Sequence, residues 1–200
     1  MKTLLSSVLA VAALAASPFI SAAEEEFRWY AGVGFGMGSG EEEYDSNISW
    51  LNGSADFDST GYKISGGYIF SQAARMEISF AGEEMEFTDA DVTDNFTSLD
   101  VDGIFTFTDH PAVRPYVLAG FGFTTYEDTE DLTEEGENLN GISLQLGAGV
   151  LWKLAPRFEL DGGFKYRSVS WQKLEDDSSS ANLEISTSMT QFTAACRVLF

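Results

Sequence analysis

Several residue types that fix the fold or chemistry of other proteins are scarce in this sequence. It has a single cysteine, Cys196, so no disulfide can form within the chain. It has one histidine, His110, and only 11 Lys and Arg against 32 Asp and Glu. A chain with a formal net charge of −21 is repelled by phosphate backbones, which excludes nucleic acid as a partner.

Long apolar runs are also missing, apart from one short stretch near the start. Lys2 precedes an apolar segment, Leu4 to Ala16, which is too short for a lasting membrane helix. Ser21-Ala22-Ala23 then places small residues where signal peptidase cleaves, so we expect a signal peptide at 1–23 and a mature domain at 24–200. If the mature chain enters a membrane, it does so as strands.

Period-two alternation dominates the mature sequence, and helical periodicity is almost absent. Short connections alternate with long polar ones (39–59, 82–95, 127–140 and 170–184), which is typical of a barrel with short turns on one side of a membrane. We therefore predict an all-β fold, an eight-stranded antiparallel up-and-down transmembrane β-barrel. Its strands are expected at roughly 27–37, 60–70, 75–81, 96–108, 114–126, 141–153, 157–169 and 185–200.

The two faces of these stretches indicate which side meets lipid. In 157–169, aromatic and aliphatic residues share one face, while the charged residues share the other with Gly163. Glycine makes room for long neighbouring side chains inside a narrow barrel, so the charged face is predicted to line the lumen and the aromatic face to meet lipid. The predicted lumen network, by the same parity, comprises Arg28, Lys63, Arg75, Glu77, Asp100, Asp102, Lys153, Glu159, Asp161, Lys165, Arg167 and Arg197.

The ordered set of stretches resembles the small outer-membrane β-barrel family that includes OmpX and the membrane domain of OmpA. Gly67-Tyr68-Ile69-Phe70 with Glu77-Ile78-Ser79-Phe80 is similar to that family's second hairpin, and Pro115 to Phe123 is similar to its fifth strand. Gly147-Ala148-Gly149-Val150 and the strand from Glu159 to Arg167 follow in the expected order. The resemblance implies the outer membrane of a Gram-negative bacterium, with outer-membrane lipid and lipopolysaccharide as surroundings.

The last strand also resembles the C-terminal signal that the barrel assembly machinery recognises. Thr193, Val198 and Phe200 match this pattern, whereas Ala195 stands where glycine is usual. Val198 and Phe200 are therefore expected to form the assembly signal.

Catalysis is not expected from the titratable residues. His110 lies in a short turn, away from any serine that it could activate. The carboxylate pairs Glu159/Asp161 and Asp100/Asp102 share a face with as many cations, so structural ion pairs are favoured over acid–base chemistry. The sequence therefore predicts a protein that is not an enzyme and has no cofactor.

The long connections hold most of the acidic residues, 23 of the 32, together with one cation, Lys173. Acidic residues keep exposed loops solvated, and this is the favoured interpretation. The alternative is loose binding of Ca²⁺ or Mg²⁺, which prefer carboxylate oxygens. The candidate ligands are Asp89, Asp91, Asp94, Glu134, Glu135 and Glu137.

Two functions follow from a lumen of this size. An eight-stranded barrel is only just wide enough for side chains to fill, and Tyr116 and Gln145 add to the charged residues inside. We predict a plugged structural barrel whose acidic loops serve surface interaction, in adhesion or envelope integrity. The alternative is a narrow porin-like or OmpW-like channel for ions or small solutes. The extracellular ligand is not identifiable from the sequence.

Overall fold

The computed structural model describes residues 27–46, 52–88, 93–107, 112–127, 138–172, 174–176 and 181–200. Among these residues there is no helix long and apolar enough to cross a bilayer. The predicted signal peptide lies outside the described residues. The described chain forms eight long strands and one short one. They are β1 (Trp29–Ser46), β2 (Gly53–Ile69), β3 (Ala74–Phe87), β4 (Thr93–Thr106), β5 (Val113–Glu127), β6 (Leu139–Ala155), β7 (Phe158–Trp171), β8 (Leu174–Asp176) and β9 (Ala181–Leu199).

The long strands close into a barrel by antiparallel pairing. Each pairs with the next along the chain, β7 pairs with β9, and β1 closes the sheet against β9. The short β8 pairs only with the start of β9. Tight turns such as the one in which Phe70 N donates to Ala74 O at 3.0 Å hold consecutive strands in register. The predicted eight-stranded antiparallel barrel is confirmed.

An apolar band encircles the outside of the barrel at its short-turn end. On β1 the outward residues are apolar from Trp29 to Met37, about the 9–11 residues that a tilted strand needs to cross the hydrocarbon. The outward residues then become polar, beginning with Ser39. At the lower edge of the band, Trp29 and Tyr68 meet edge to face with ring centroids 4.7 Å apart, as in an aromatic girdle.

The strands continue well beyond this band, and this corrects one prediction. The stretches 39–59 and 82–95 were expected to be loops, but most of their residues belong to β1–β4. In this extension the outward side chains are polar, because they face water instead of lipid. Glu41, Asp56 and Glu84, for example, are exposed on the outer wall.

The interior of the extension is largely apolar, which reverses the arrangement in the membrane. Outward Phe80 and inward Met85 lie on the same strand, an odd number of residues apart, as do outward Tyr166 and inward Val169. Apolar residues therefore change parity along each strand as the outer solvent changes from lipid to water. We call this interior the apolar cap. It consists of Phe57, Met85, Phe87, Phe96, Tyr126, Leu139, Val169, Trp171, Ile185 and Met189.

Candidate functional site in the barrel lumen

Polar and charged side chains fill the lumen within the apolar band, in three clusters along the barrel axis. The lower cluster, nearest the short turns, is centred on Glu159. Arg75 donates to both carboxylate oxygens of Glu159, through Nη1 at 2.6 Å and Nη2 at 3.1 Å, and Arg114 donates to the same carboxylate. The Arg75 guanidinium lies 5.8 Å from the centre of the Tyr30 ring. Strands β1, β3, β5 and β7 are thereby joined across the lumen.

The middle cluster contains two carboxylates bridged by one arginine. Glu77 accepts from Lys63 Nζ at 2.8 Å and from Arg197 Nε at 2.9 Å. Arg197 Nη1 lies 2.8 Å from Asp161, which also accepts from the Tyr116 hydroxyl at 2.8 Å. A buried carboxylate is tolerated when it is paired and hydrogen-bonded in this way.

The upper cluster is organised around Arg167, whose side chain has no exposed surface. Its Nη1 donates to Glu83 at 3.0 Å, and its Nη2 donates to Asp100 and, at 3.4 Å, to Gln145. Gln191 completes the cluster by donating Nε2 to Glu83 at 2.5 Å. Arg167 thus holds β3, β4, β6 and β7 together directly below the apolar cap.

A short polar chain runs through the apolar cap. Trp171 Nε1 donates to Thr187 Oγ1 at 2.7 Å, and the Thr187 hydroxyl donates to Glu42 at 3.2 Å. The Tyr44 hydroxyl donates to the other oxygen of Glu42 at 2.5 Å. These bonds satisfy a carboxylate that is buried among aromatic rings.

Glycines on the inner face leave the volume that these groups occupy. A Cβ on Gly120 would lie 2.0 Å from Asp102 Oδ1, and one on Gly122 would lie 2.1 Å from Asp100 Oδ1. The carboxylates therefore fill the space that a larger residue on β5 would need. Glycines and charged residues share the inward face of the strands, and the prediction of a filled lumen is based on this pattern.

Eight of the twelve members of the predicted lumen set lie in these clusters, and four are placed differently. Arg28 precedes β1 and is exposed at the barrel rim, so it is not among the buried lumen groups. Lys153 is half-buried beside the register shift at the end of β6. Asp102 and Lys165 both face the lumen and interact electrostatically.

Asp94, predicted as a cation ligand in a loop, instead lies on β4 with its side chain buried. It accepts a hydrogen bond from the Tyr126 hydroxyl at 2.6 Å. The sequence predicts a loop at Asp94 because the apolar residues change faces near the start of β4, and this break in the alternation resembles the end of a strand. The other candidate ligands, Asp89, Asp91, Glu134, Glu135 and Glu137, lie outside the described residues. Within the described part of the chain, no group of three or more His, Cys, Asp or Glu could hold a metal ion.

Sequence reasoning missed Arg114, Glu83 and Gln191 of the clusters, and Glu42 of the polar chain in the apolar cap. Arg114 has the same parity as Tyr116, so its inward position was available from the alternation alone. Glu83 shares parity with Glu77, but the predicted third strand ended before it. Glu42 lies in the extension, where the parity rule for charge no longer holds.

Three of the four carboxylates considered for acid–base chemistry are held by arginines. Glu159 is bound by Arg75, Asp161 by Arg197 and Asp100 by Arg167. This geometry suits structural crosslinking between strands. The fourth, Asp102, is buried in the lumen, where it interacts electrostatically with Lys165. His110 lies outside the described residues.

Comparison with known proteins identifies the family to which this barrel belongs. The family model of the outer membrane protein beta-barrel domain matches residues 4–197. The chain belongs to this family. It is an outer-membrane protein of a Gram-negative bacterium, in agreement with its lipid-facing apolar band. No curated protein matches the chain in sequence.

Solved structures of outer-membrane barrels share the fold. The crystal structure of Neisserial surface protein A aligns with a TM-score of 0.53 and 19% identity, covering 86% of this chain and 97% of that one. OprG from Pseudomonas aeruginosa aligns with a TM-score of 0.50 and 13% identity, covering 87% and 96%. At these identities the similarity shows the fold and nothing finer.

Proposed function

We propose that this outer-membrane barrel is a plugged, non-catalytic structural protein that presents an acidic outer surface for interaction at the cell exterior, in adhesion or envelope integrity. The observation that carries the proposal is the closed lumen, with three ion-pair clusters below an apolar cap. Arg167 and Arg197, which span the lumen, are 0% and 1% exposed. An ion would have to displace paired charges and then cross packed aromatic rings, in a barrel too narrow to offer a second route.

Planar-bilayer recording of the refolded mature protein tests the proposal. We expect no reproducible unitary current from the natural sequence, because both the upper cluster and the apolar cap block the axis. The variant Arg167→Ser/Trp171→Ala removes a large side chain from each, so a current that this variant gives and the natural sequence does not would locate the barrier at these two levels. Phe121→Ala/Phe164→Ala removes bulk from the lipid face only and is expected to remain silent.

Steady unitary currents from the natural sequence would overturn the plugged barrel and favour the narrow channel. The gel shift between heated and unheated samples, together with circular dichroism, establishes that each variant is folded before recording. If the double variant folds and stays silent, the barrier lies in the middle and lower clusters, which this variant leaves intact.

The acidic outer surface supports the interaction role. Above the apolar band, carboxylates on β1–β3 and β9 form what we call the acidic belt, in which Glu41 pairs in register with Asp56, and Asp58 with Glu86. Like charges directly opposite each other in a sheet are destabilising, so this arrangement reflects something other than barrel stability. The belt comprises Glu41, Glu43, Asp45, Asp56, Asp58, Glu84, Glu86 and Glu184.

We propose outer-membrane lipid and lipopolysaccharide as the surroundings of the barrel, with loosely bound Ca²⁺ or Mg²⁺ bridging the loop carboxylates predicted from the sequence, such as Glu134, Glu135 and Glu137, to lipopolysaccharide phosphates. Hard divalent cations prefer such oxygen ligands. Calorimetric titration of Ca²⁺ into the refolded protein tests this, with Glu134→Gln/Glu135→Gln/Glu137→Gln as the loop variant. Saturable heat that the loop variant loses would support bridging. No heat at millimolar metal would leave the loop acids as solvating groups.

Assembly is the remaining proposed interaction. Val198 and Phe200 lie on the outward face at the end of the chain, with Phe200 exposed beside the lower edge of the band. This position supports recognition of the last strand by the barrel assembly machinery before the barrel closes against β1.

A further inference from the structure

A cavity of about 370 Å³ opens in the outer wall of the barrel, at the upper edge of the apolar band. It lies across β9, β1 and β2, and Tyr166 of β7 borders its far side. Three carboxylates of the acidic belt, those of Glu41, Asp56 and Asp58, stand at the near side. We call it the outer-wall cavity.

Two adjacent rows of the sheet build this cavity. In one row Tyr166, Thr190, Ser39 and Asp58 are successive partners on β7, β9, β1 and β2. In the next, Ser188 pairs with Glu41, and Glu41 pairs with Asp56. Short hydroxyl side chains therefore separate a carboxylate end from an aromatic end.

Gly40 explains why the wall is hollow here. It lies between the two rows, and a Cβ at this position would come within 2.4 Å of the Phe57 ring and 2.9 Å of Met189 Cβ. Phe57 and Met189 pack against the inner side of the wall from the apolar cap, and both are buried. The Gly40 backbone therefore forms a thin floor between the cavity and the apolar cap, and most of the rim is polar.

The cavity also crosses the boundary between lipid and water. Tyr166 is the last large apolar residue of the band on β7, whereas Asp58 in the same row of the sheet already belongs to the acidic belt. The strands are tilted, so one row of the sheet runs from the lipid level to the water level. A ligand in the cavity would thus have one end in each environment.

We propose that the outer-wall cavity binds a cationic amphiphile, a primary alkylammonium ion of small size. The ammonium group takes the position between Glu41, Asp56 and Asp58, where it relieves the repulsion of carboxylates that face each other in register. The alkyl chain lies over Ser39 and Thr190 and ends against the exposed Tyr166 ring. Two strand spacings separate β1 from β7, about 10 Å, which an extended hexylammonium ion reaches.

Isothermal titration of hexylammonium chloride into the refolded protein in non-ionic micelles tests the proposal. We expect saturable binding that Asp56→Asn/Asp58→Asn weakens by about ten-fold, since two charge contacts are lost. The control Glu43→Gln/Asp45→Asn removes the same charge from exposed positions of the belt that do not line the cavity. It is expected to bind as the natural sequence does.

Two further arms separate this site from general attraction to a negative surface. Hexanol has the same chain without the charge and is expected to give only the heat of entering the micelle. Tyr166→Ser is expected to abolish the preference for hexylammonium over methylammonium while leaving methylammonium binding unchanged. The proposal is overturned if the two double variants weaken hexylammonium binding equally, or if the preference for the longer chain survives Tyr166→Ser. The absence of saturable heat would also overturn it.

Discussion

Replacing Arg167 with Met tests whether the upper cluster acts as one unit. Arg167 is the shared donor to Glu83 and Asp100, and all three side chains are buried. Met has similar length and no charge, so Arg167→Met leaves two buried carboxylates without their cation. Removing one partner of a buried ion pair costs about 3–5 kcal/mol, and we expect the upper end of this range because two acids lose their partner.

The compensating variant separates this cost from a packing effect. Arg167→Met/Glu83→Gln/Asp100→Asn removes the whole charge set, and replacing a buried ionic cluster by neutral groups is often close to neutral. We expect the triple variant to recover most of the lost free energy of unfolding, to within about 2 kcal/mol of the natural sequence. Lys153→Met, which removes a half-buried cation at the other end of the barrel, is expected to cost about 1 kcal/mol or less.

Urea unfolding of the refolded barrel in lipid vesicles, followed by tryptophan fluorescence, gives these free energies. Equal slopes of free energy against urea for all variants would show that the unfolding reaction is the same. If the triple variant were as unstable as Arg167→Met, or less stable, the charges would not be mutually compensating, and our account of the lumen would be wrong.

Three other predictions follow from the two environments of the outer wall and from the last strand. Phe164→Arg is expected to lower the free energy of unfolding by about 2–4 kcal/mol in the same urea assay, because its side chain faces hydrocarbon. Ser168→Arg on the same strand lies above the band and is expected to lower it by less than about 1 kcal/mol. Equal losses would contradict the position of the band. Trp171→Ala is expected to admit protease cleavage in the extension while the membrane part stays folded, because it removes the ring that packs against Tyr126 at 5.4 Å. Phe200→Ala is expected to slow assembly into the outer membrane in cells but not refolding into micelles, which pulse-labelling and the gel shift compare; slowing of both would point to a packing role instead.

Sequence alternation predicted the membrane part of the fold because one physical constraint acts on every strand there. Lipid outside and a narrow polar lumen inside force opposite chemistry on alternate residues. Exposed Phe164 and lumen-facing Lys165 could therefore be assigned from β7 alone. The penalty for turning Lys or Arg toward lipid, about 2–4 kcal/mol each at the midplane, fixes the register of such a strand.

The same alternation rule gave wrong assignments in the extension, because the outer wall there meets water instead of lipid. Once the outer wall meets water, carboxylates belong outside and aromatic rings inside, so Glu84 is exposed and Phe87 is buried on β3. Along one strand this appears as a break in the alternation, which is also what a loop produces. An apolar residue an odd number of positions beyond the last outward one, as Met85 is from Phe80, is the signal that distinguishes them.

The amino-acid sequence by itself determined which residues face lipid and which face the lumen, since side-chain direction in a strand depends only on parity. It did not determine which charges pair, because partners such as Arg75 and Glu159 are 84 residues apart and meet only when the barrel closes. The length of the strands beyond the membrane and the outer-wall cavity likewise depend on several strands at once. Only the tertiary structure brings those strands side by side, and so only it decided how the lumen is sealed.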